Sequence, residues 1–309
     1  MSRVIMYHYI RKFSAVRPYF NFLNFEDFKK QNKYLGKTNG FIKVGDNLDQ
    51  NYYKNKFLLT FDDGLKEHLK VAKYLKQKNI LGIFFIPGMP IEKSDFLPIH
   101  KIHLIFGKYS SQEIIEIFKK FKIKINFKKN FFSTFTKQEQ FLEKKNKTSE
   151  NDKKIYLKTE LNNLDQKDSK LVKNIFNYCI SKKDQKSIFK NFYLSPKDII
   201  ALDKLGMIIG AHGYGHRVLS KLNYNTQQKD ISRSINILSR ILDKKIKYFC
   251  YPYGGFKTFN KNTMMILKKK KITYSFNVES KDWTKKSNTF YVPRYDCNEF
   301  KYGKIFKIN

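Results

Sequence analysis

Three short segments of the sequence combine side chains that can bind a metal ion or move a proton. Asp62 and Asp63 follow one apolar run, His212 and His216 follow a second, and a Pro-Tyr-Gly turn containing Tyr253 follows a third. Two imidazoles and one carboxylate form a ligand set that keeps open positions on a divalent cation for water and substrate. A cation held in this way acidifies water and polarises a carbonyl. The residue types therefore predict metal-assisted hydrolysis.

The two adjacent carboxylates are expected to differ in role. Because neighbouring side chains diverge, one can ligate while the other takes the proton of the attacking water as general base. The glycines after Tyr253 leave backbone N–H groups for a developing oxyanion. Each segment also has a simpler interpretation when taken alone: Asp63 as a helix cap, the two histidines as a chance pair, and the last segment as a plain turn. Their shared position along the fold favours the chemical interpretation.

These segments are positioned by alternating strands and helices. Apolar runs predict strands at 2–10, 56–61, 80–86, 207–211, 246–251, 272–278 and 291–295. Helical spacing predicts helices at 65–77, 196–205, 226–242 and 262–270. Continuous apolar strands alternating with helices indicate a parallel sheet in an α/β fold. In such folds ligand sites form at the carboxyl ends of the strands, where all three segments fall.

The middle of the chain differs from both ends. Residues 95–195 alternate helical stretches, at 112–121, 136–145 and 168–179, with connectors rich in Lys and Asn. We therefore expect a mostly helical insertion at 95–195 that divides one barrel into a first part, 1–94, and a second part, 196–309.

The three segments resemble a known family. TFDDG at 60–64, HGYGH at 212–216 and FCYPYG at 249–254 are similar to the motifs of the polysaccharide deacetylases, the NodB homology or carbohydrate esterase 4 family. The resemblance covers 1–94 and 196–298. It implies a distorted (β/α)7 barrel, a divalent metal that is commonly zinc, with Co²⁺, Ni²⁺ or Fe²⁺ as alternatives, and removal of an N-acetyl or O-acetyl group from a sugar.

The resemblance also implies roles for individual residues. By motif position, Asp62 is the general base, and Asp63, His212 and His216 are the metal ligands. Tyr253 donates its backbone N–H to the oxyanion.

Three departures from the family pattern bear on these roles. Cys250 occupies the position where many members carry an arginine that holds the catalytic aspartate, and Arg294 is its expected substitute or, alternatively, a surface ion pair. No histidine follows His216, so His8 at the end of the first strand is expected to be the general acid, as in a permuted arrangement; the alternative is a structural strand-end histidine. Gly213 replaces a Ser or Thr that trims the site.

The remaining notable side chains are expected to be structural. His68 is expected in solvent, and His100 and His103 on a helix surface, with a place in a substrate-binding lid as the alternative for the last two. Trp283 is expected to pack, with an aromatic platform in the substrate cleft as its alternative. Cys250 is expected to be a buried apolar group rather than a nucleophile.

The net charge of +35 is interpreted as compositional. Only seven of the 62 basic Lys and Arg residues are arginine, and the lysines are spread along the chain rather than clustered. We therefore expect no specific nucleic-acid partner, although a positive surface could contact anionic membrane or phosphate-bearing sugars. No apolar run approaches the ~20 residues of a membrane span.

Residues 1–20 lack a signal-peptide pattern and the three cysteines lack metal-type spacing, so a cytoplasmic protein with reduced thiols is expected. The expected substrate is then an acetylated amino sugar linked to a nucleotide or a lipid. Two alternatives stay open. One is an amidase or deformylase on a sugar nucleotide, and the other is a non-catalytic carbohydrate-binding protein of the same fold.

Overall fold

The computed structural model describes residues 1–48, 53–124 and 149–304. The helix predicted at 136–145 lies outside the described residues. Within them, no helix is both long enough and apolar enough to cross a lipid bilayer.

Seven parallel strands form a single sheet. Their order across the sheet is β6-β5-β4-β3-β2-β1-β7. The strands are β1 (Arg3–Tyr7), β2 (Phe57–Phe61), β3 (Gly82–Ile86), β4 (Ile208–Ala211), β5 (Tyr248–Cys250), β6 (Tyr274–Phe276) and β7 (Tyr295–Asp296). The strand predictions are confirmed, with ends shifted by a few residues.

The sheet curls so that one segment bonds to both of its ends. Tyr295 of β7 pairs with Ile5 of β1. Just upstream, the Val292 N–H donates to the Ser275 carbonyl over 2.8 Å, and the Asn277 N–H donates to the Val292 carbonyl over 3.1 Å. The residues predicted as the start of the last strand therefore bond to β6 before the chain reaches β1. The result is the predicted distorted (β/α)7 barrel, in which the first and last strands are neighbours.

Helices surround the sheet. They are α1 (Phe25–Thr38), α2 (His68–Gln77), α3 (Met89–Lys93), α4 (Pro98–Lys108), α5 (Ser111–Lys120), α6 (Ser149–Lys167), α7 (Ser169–Cys179), α8 (Lys182–Lys190), α9 (Pro196–Lys204), α10 (Tyr224–Leu242) and α11 (Lys261–Lys269). Helix α9 begins where the sequence predicts, because Ser195 forms a capping box with Asp198 and Pro196 occupies the first turn.

Both faces of the sheet are buried. Phe61 and Phe84 stack on the face covered by α1 and α2, with ring centroids 4.7 Å apart. Alternate strand residues, such as Leu58 and Phe85, fill the opposite face. Leu58, Thr60 and Asp62 are spaced two residues apart, so the Asp62 side chain lies on the same face of the sheet as Leu58, toward that second core.

The insertion has a core of its own that continues onto the barrel. Helices α4 to α8 bury an apolar cluster that also includes Leu65 from the loop after β2. The Lys66 N–H donates to the Phe192 carbonyl over 3.0 Å, and the Leu194 N–H donates to the Gly64 carbonyl over 2.9 Å. The two ends of the loop after Asp63 are thus tied to the last residues of the insertion. The predicted boundaries at 94/95 and 195/196 stay a prediction.

Candidate active site

The candidate residues meet at the carboxyl edge of the sheet. Asp62 and Asp63 follow β2, His212 follows β4, the Tyr253 turn follows β5, and His8 follows β1. Because all these strands are parallel, their carboxyl ends open on one side of the barrel. The structure therefore brings together residues that are far apart in sequence.

Asp62 is paired with a buried arginine. Arg294 Nη1 and Nη2 donate to Asp62 Oδ1 and Oδ2, each over 2.8 Å. The rest of the guanidinium is also bonded, because Nε donates to the Asn277 carbonyl and Nη1 to Thr60 Oγ1. Arg294 is only 1% exposed, so the alternative of a surface ion pair is wrong. Burial raises the pKa of Asp62, but the charge and hydrogen bonds of Arg294, together with His212 and His8, lower that pKa to about 2.

Cys250 occupies the space beside this ion pair. Arg294 Nη2 lies 2.9 Å from Cys250 Sγ, and the thiol lies 3.5 Å from Asp62 Oδ2. Burial raises the pKa of the thiol well above its usual value. Because Cys250 is small and neutral, it leaves room for Arg294, which directly precedes β7 at the other end of the strand order.

Asp63 faces two histidines with one oxygen that has no hydrogen-bond partner. Its Oδ1 lies 3.6 Å from His212 Nε2 and 3.6 Å from His216 Nε2. His212 Nδ1 is 2.8 Å from the Cys250 carbonyl, which requires the ring proton on Nδ1 and leaves Nε2 as an acceptor. Burial lowers the pKa of both imidazoles, that of His216 to about 3. The carboxylate therefore faces neutral rings.

This arrangement fits a divalent cation. The ligand atoms of Asp63, His212 and His216 all lie within 4.8 Å of one another and are buried. A buried carboxylate oxygen that faces the lone pair of an imidazole is costly unless a positive charge sits between them. The hydrogen bond from His212 Nδ1 to a carbonyl is also the usual outer contact of a metal-ligating histidine.

A second group of donors is less suited to a cation. Asp62, His212 and Cys250 also lie within 4.8 Å of one another. However, the Arg294 guanidinium already compensates the Asp62 charge and would repel an added cation. The geometry therefore favours Asp63 over Asp62 as the metal-holding carboxylate.

The loops that carry these side chains are held in left-handed backbone conformations. Asp63, His216 and Tyr253 have φ of 77°, 53° and 65°. Such conformations are costly for non-glycine residues and cluster at functional sites. Asp63 is thus part of a strained loop and does not cap a helix, since α2 begins only at His68. The cap interpretation of Asp63 is wrong.

Asp230 of α10 fixes the loop between the two histidines. Its carboxylate accepts hydrogen bonds from the Tyr214 and Gly215 N–H groups, over 2.8 and 3.1 Å. Gly213 has φ of 67°, and a Cβ there would lie 2.9 Å from Asp230 Oδ1. The glycine that departs from the family pattern therefore matches the loop conformation in this chain.

His8 lies beside Asp62, and Tyr253 lies beside His216. His8 Nε2 is 3.9 Å from Asp62 Oδ2, and its side chain is 38% exposed. The Tyr253 ring packs against His216 with centroids 4.9 Å apart. The acid role of His8 and the oxyanion role of the Tyr253 N–H stay predictions.

Two residues of the insertion contact the site or its ligands: Tyr193, which sequence reasoning missed, and His100, for which a place facing the site was only the alternative. His100 is fully buried, and its Nε2 lies 3.1 Å from Asp63 Oδ2. Tyr193 Oη lies 2.5 Å from His100 Nδ1. The expectation of a helix surface is wrong, because α4 is buried on nearly every side within the insertion core. That nearly continuous apolar character was the available signal, since a histidine inside such a helix needs a partner.

Two other expectations were tested by the structure. His68 is buried rather than in solvent, and its Nε2 lies 2.9 Å from the His8 carbonyl. Trp283 is 5% exposed and packs edge-on against Tyr274, so the packing interpretation is confirmed over that of an aromatic platform.

Comparison with known proteins agrees with this site. The family model described as polysaccharide deacetylase matches residues 161–275. These residues are thus similar to a polysaccharide deacetylase domain. The matched residues include both histidines and Tyr253, but neither Asp62, Asp63 nor Arg294. Asp62 and Asp63 are therefore supported by the TFDDG motif and the geometry, and Arg294 by the geometry of its contact with Asp62.

A stretch of 89 residues is 30% identical to the poly-beta-1,6-N-acetyl-D-glucosamine N-deacetylase of Staphylococcus aureus strain MSSA476. It makes up 29% of this chain and 30% of that enzyme, so the chain spans about 30% of the length of the curated relatives it matches.

Solved structures show the same fold over nearly the whole chain. The chain is similar to IcaB from Ammonifex degensii, with a TM-score of 0.56, 16% identity and coverage of 95% of this chain and 90% of that one. The Streptococcus pyogenes deacetylase PplD, solved with acetate, gives a TM-score of 0.55 at 12% identity and covers 95% and 91%.

Proposed function

We propose that this domain is a metal-dependent deacetylase that hydrolyses the N-acetyl group of a sugar, with O-acetyl as the alternative bond. One observation carries the proposal: two adjacent buried carboxylates differ in charge compensation. Asp62 is neutralised by Arg294, whereas Asp63 faces neutral imidazoles. The family match supports the same reaction class.

Asp63, His212 and His216 would hold the metal. A divalent cation at this position polarises the acetyl carbonyl and lowers the pKa of water. Zinc is the proposed ion, with Co²⁺, Ni²⁺ or Fe²⁺ as alternatives, because two imidazoles and a carboxylate suit all four.

Asp62 acts as the general base in this proposal. Arg294 keeps its carboxylate ionised and fixes both oxygens, and Oδ2 is the oxygen nearest His8. Asp62 Oδ2 takes a proton from the water that attacks the acetyl carbonyl carbon. The backbone N–H of Tyr253 donates to the carbonyl oxygen as negative charge develops there.

His8 completes the reaction as general acid. Its Nε2 gives a proton to the sugar nitrogen as the carbon–nitrogen bond breaks, and the products are acetate and a free amine. The partial exposure of His8 places it where a substrate can reach it. Its position beside Asp62 also allows the proton to return to His8 before the next turnover.

The substrate is proposed from chemistry and from the relatives. The Staphylococcus aureus relative is named for poly-β-1,6-N-acetyl-D-glucosamine, so oligomers of N-acetylglucosamine are the first candidates. A nucleotide-linked or lipid-linked acetyl amino sugar in the cytoplasm is the second, and the positive charge of the chain would favour such phosphate-bearing carriers.

The non-catalytic alternative loses its main support. It rested on the arginine lost from the motif and on the shifted acid, yet Arg294 contacts Asp62 and His8 lies beside it. A deformylase or amidase would use the same residues, so only the acyl group of the substrate separates those reactions from deacetylation.

A substrate panel tests the proposal. The zinc-loaded protein is incubated with N-acetylglucosamine oligomers, acetylated nucleotide sugars, lipid-linked sugars and their formyl counterparts, and acyl loss is followed by mass spectrometry. Asp62→Asn serves as the matched control, since it keeps the size of the side chain. We expect acetyl loss with wild type and none above background with the variant. No loss from any acetylated sugar, with metal bound, would favour the non-catalytic alternative.

A further inference from the structure

We infer that His100 of the insertion is a positioning residue for Asp63, so that the insertion completes the metal site. The inference rests on the proposed function, because it concerns the same carboxylate. His100 is fully buried and lies 3.1 Å from Asp63 Oδ2 through its Nε2. It is not one of the motif residues, and it contacts the Asp63 oxygen that His212 and His216 do not face.

A chain of hydrogen bonds favours one tautomer of the His100 ring. Tyr193 Oη accepts the Leu97 N–H over 3.0 Å. Its single hydroxyl proton is then available to His100 Nδ1, 2.5 Å away. A ring that accepts at Nδ1 carries its proton on Nε2, and Nε2 therefore donates to Asp63 Oδ2.

This hydrogen bond gives the two Asp63 oxygens different surroundings. Oδ2 is satisfied by His100, whereas Oδ1 faces His212 and His216 with no hydrogen-bond partner. The carboxylate is thus prevented from turning, and a single oxygen remains for the cation. Outer partners of this kind orient a ligand before the metal arrives, and their loss weakens metal affinity by about 10- to 100-fold.

The insertion also holds the backbone that carries Asp63. Leu65 bridges to Tyr193, and the Gly64 carbonyl accepts the Leu194 N–H. Tyr193 therefore acts twice, through its backbone on the loop after Asp63 and through its hydroxyl on His100. Because Tyr193 contacts both the loop after Asp63 and the His100 ring, His100 is held against Asp63 and does more than fill space in the core.

His103 provides a matched control within the same helix. It lies about one turn beyond His100, and its Nδ1 is 2.9 Å from Tyr9 Oη. It is partly buried and packs in the same cluster of rings, but it makes no hydrogen bond to Asp63 in the described residues. A variant at this position disturbs the same core without touching the carboxylate.

The test measures metal binding rather than turnover. Wild type, His100→Leu, His100→Gln, Tyr193→Phe and His103→Leu are titrated with Co²⁺ against a chelator, and the visible spectrum of bound Co²⁺ reports its coordination. We expect His100→Leu to bind about 10- to 100-fold more weakly with an altered spectrum. Tyr193→Phe should lose less, His100→Gln should recover part of the affinity through its amide N–H, and His103→Leu should match wild type.

Each other outcome counts against the inference. Equal affinity and an unchanged spectrum in His100→Leu would overturn it while leaving the proposed function intact. If His100→Leu does not fold, Tyr193→Phe decides, and wild-type affinity in that variant would overturn it. An equal loss in His103→Leu would assign the effect to general core damage. A wild-type protein that binds no Co²⁺ would contradict the proposed function itself, and this inference with it.

Discussion

Asp62 and Asp63 are adjacent in sequence, yet they have different contact partners in the barrel and the insertion. Asp62 is held within the barrel by the permanent charge of Arg294. Asp63 lies between the barrel, which offers His212 and His216 to Oδ1, and the insertion, which offers His100 to Oδ2. One carboxylate is already neutralised, and the other retains a negative charge.

This difference explains how one dipeptide can serve two functions. A carboxylate paired with a buried arginine stays ionised but does not attract a cation. A buried carboxylate among neutral imidazoles requires a cation to offset its charge. We therefore attribute proton transfer to the side supplied by the barrel and metal retention to the side shared with the insertion.

Removing Arg294 should have the largest effect, because it abolishes the charge compensation that distinguishes Asp62 from Asp63. Arg294→Met leaves Asp62 buried without its partner, which costs about 3–5 kcal/mol of unfolding free energy and raises the pKa of Asp62. We expect turnover to fall by at least about 100-fold, and urea unfolding measures the stability loss. Arg294→Lys keeps the charge and should lose less of both. Wild-type turnover in Arg294→Met would refute the pairing role.

Replacing His8 separates proton donation from the rest of the site. His8→Ala should lower kcat on an N-acetyl sugar by about 10²- to 10⁴-fold, because the leaving amine needs a proton. An activated aryl acetate has a good leaving group and should lose little. The two substrates are compared on the same protein with its metal content measured. An equal loss on both would argue against an acid role for His8.

Low pH should destabilise the metal-free protein because His212 and His216 are buried as neutral rings. Burial lowers the pKa of His212 and of His216, the latter to about 3. Between that pH and about 6.5 the unfolded chain binds more protons, so stability falls as the pH drops from 7 to 4. His216 alone accounts for about 2 kcal/mol at pH 5.

Unfolding by urea at a series of pH values checks this prediction. His216→Gln is the matched control and should flatten the dependence. The low pKa of Asp62, about 2, adds a loss of the same sign only at more acidic pH, as Asp62 is protonated. A metal-free protein whose stability is constant from pH 7 to pH 4 would contradict the assignment of neutral imidazoles.

Restoring the hydroxyl that the family usually carries at position 213 should have the smallest effect. Gly213→Ser places a Cβ 2.9 Å from Asp230 Oδ1 in a left-handed conformation. We expect a loss of about 1–2 kcal/mol in stability and little change in metal affinity, measured by thermal unfolding and titration. A stabilised variant would show that the loop is not constrained as described.

The barrel side of the site was predictable because its residues follow apolar strands. The ends of parallel strands meet at one edge whatever the details of packing, so Asp62, His212 and Tyr253 were expected together. Arg294 was a candidate because it lies near the last strand and because Cys250 occupies the usual position of the family arginine. Its burial and its bonds to both Asp62 oxygens needed the structure.

The insertion side was not predictable from local pattern. His100 reaches Asp63 only because α4 packs in one orientation within a separate core, and no sequence period encodes that orientation. The same holds for His68, the first residue of α2, whose Nε2 lies 2.9 Å from the His8 carbonyl. In both cases a buried polar contact depends on how one element docks on another.

The central claim is that Asp63 holds the metal while Asp62 moves the proton. The most direct measurement compares wild type with Asp62→Asn for bound zinc and for acetate released from N-acetylglucosamine oligomers. We predict one zinc per chain in both proteins and acetate release by wild type alone. An Asp62→Asn protein that loses its zinc, or that releases acetate at the wild-type rate, would contradict the division of roles between the two aspartates.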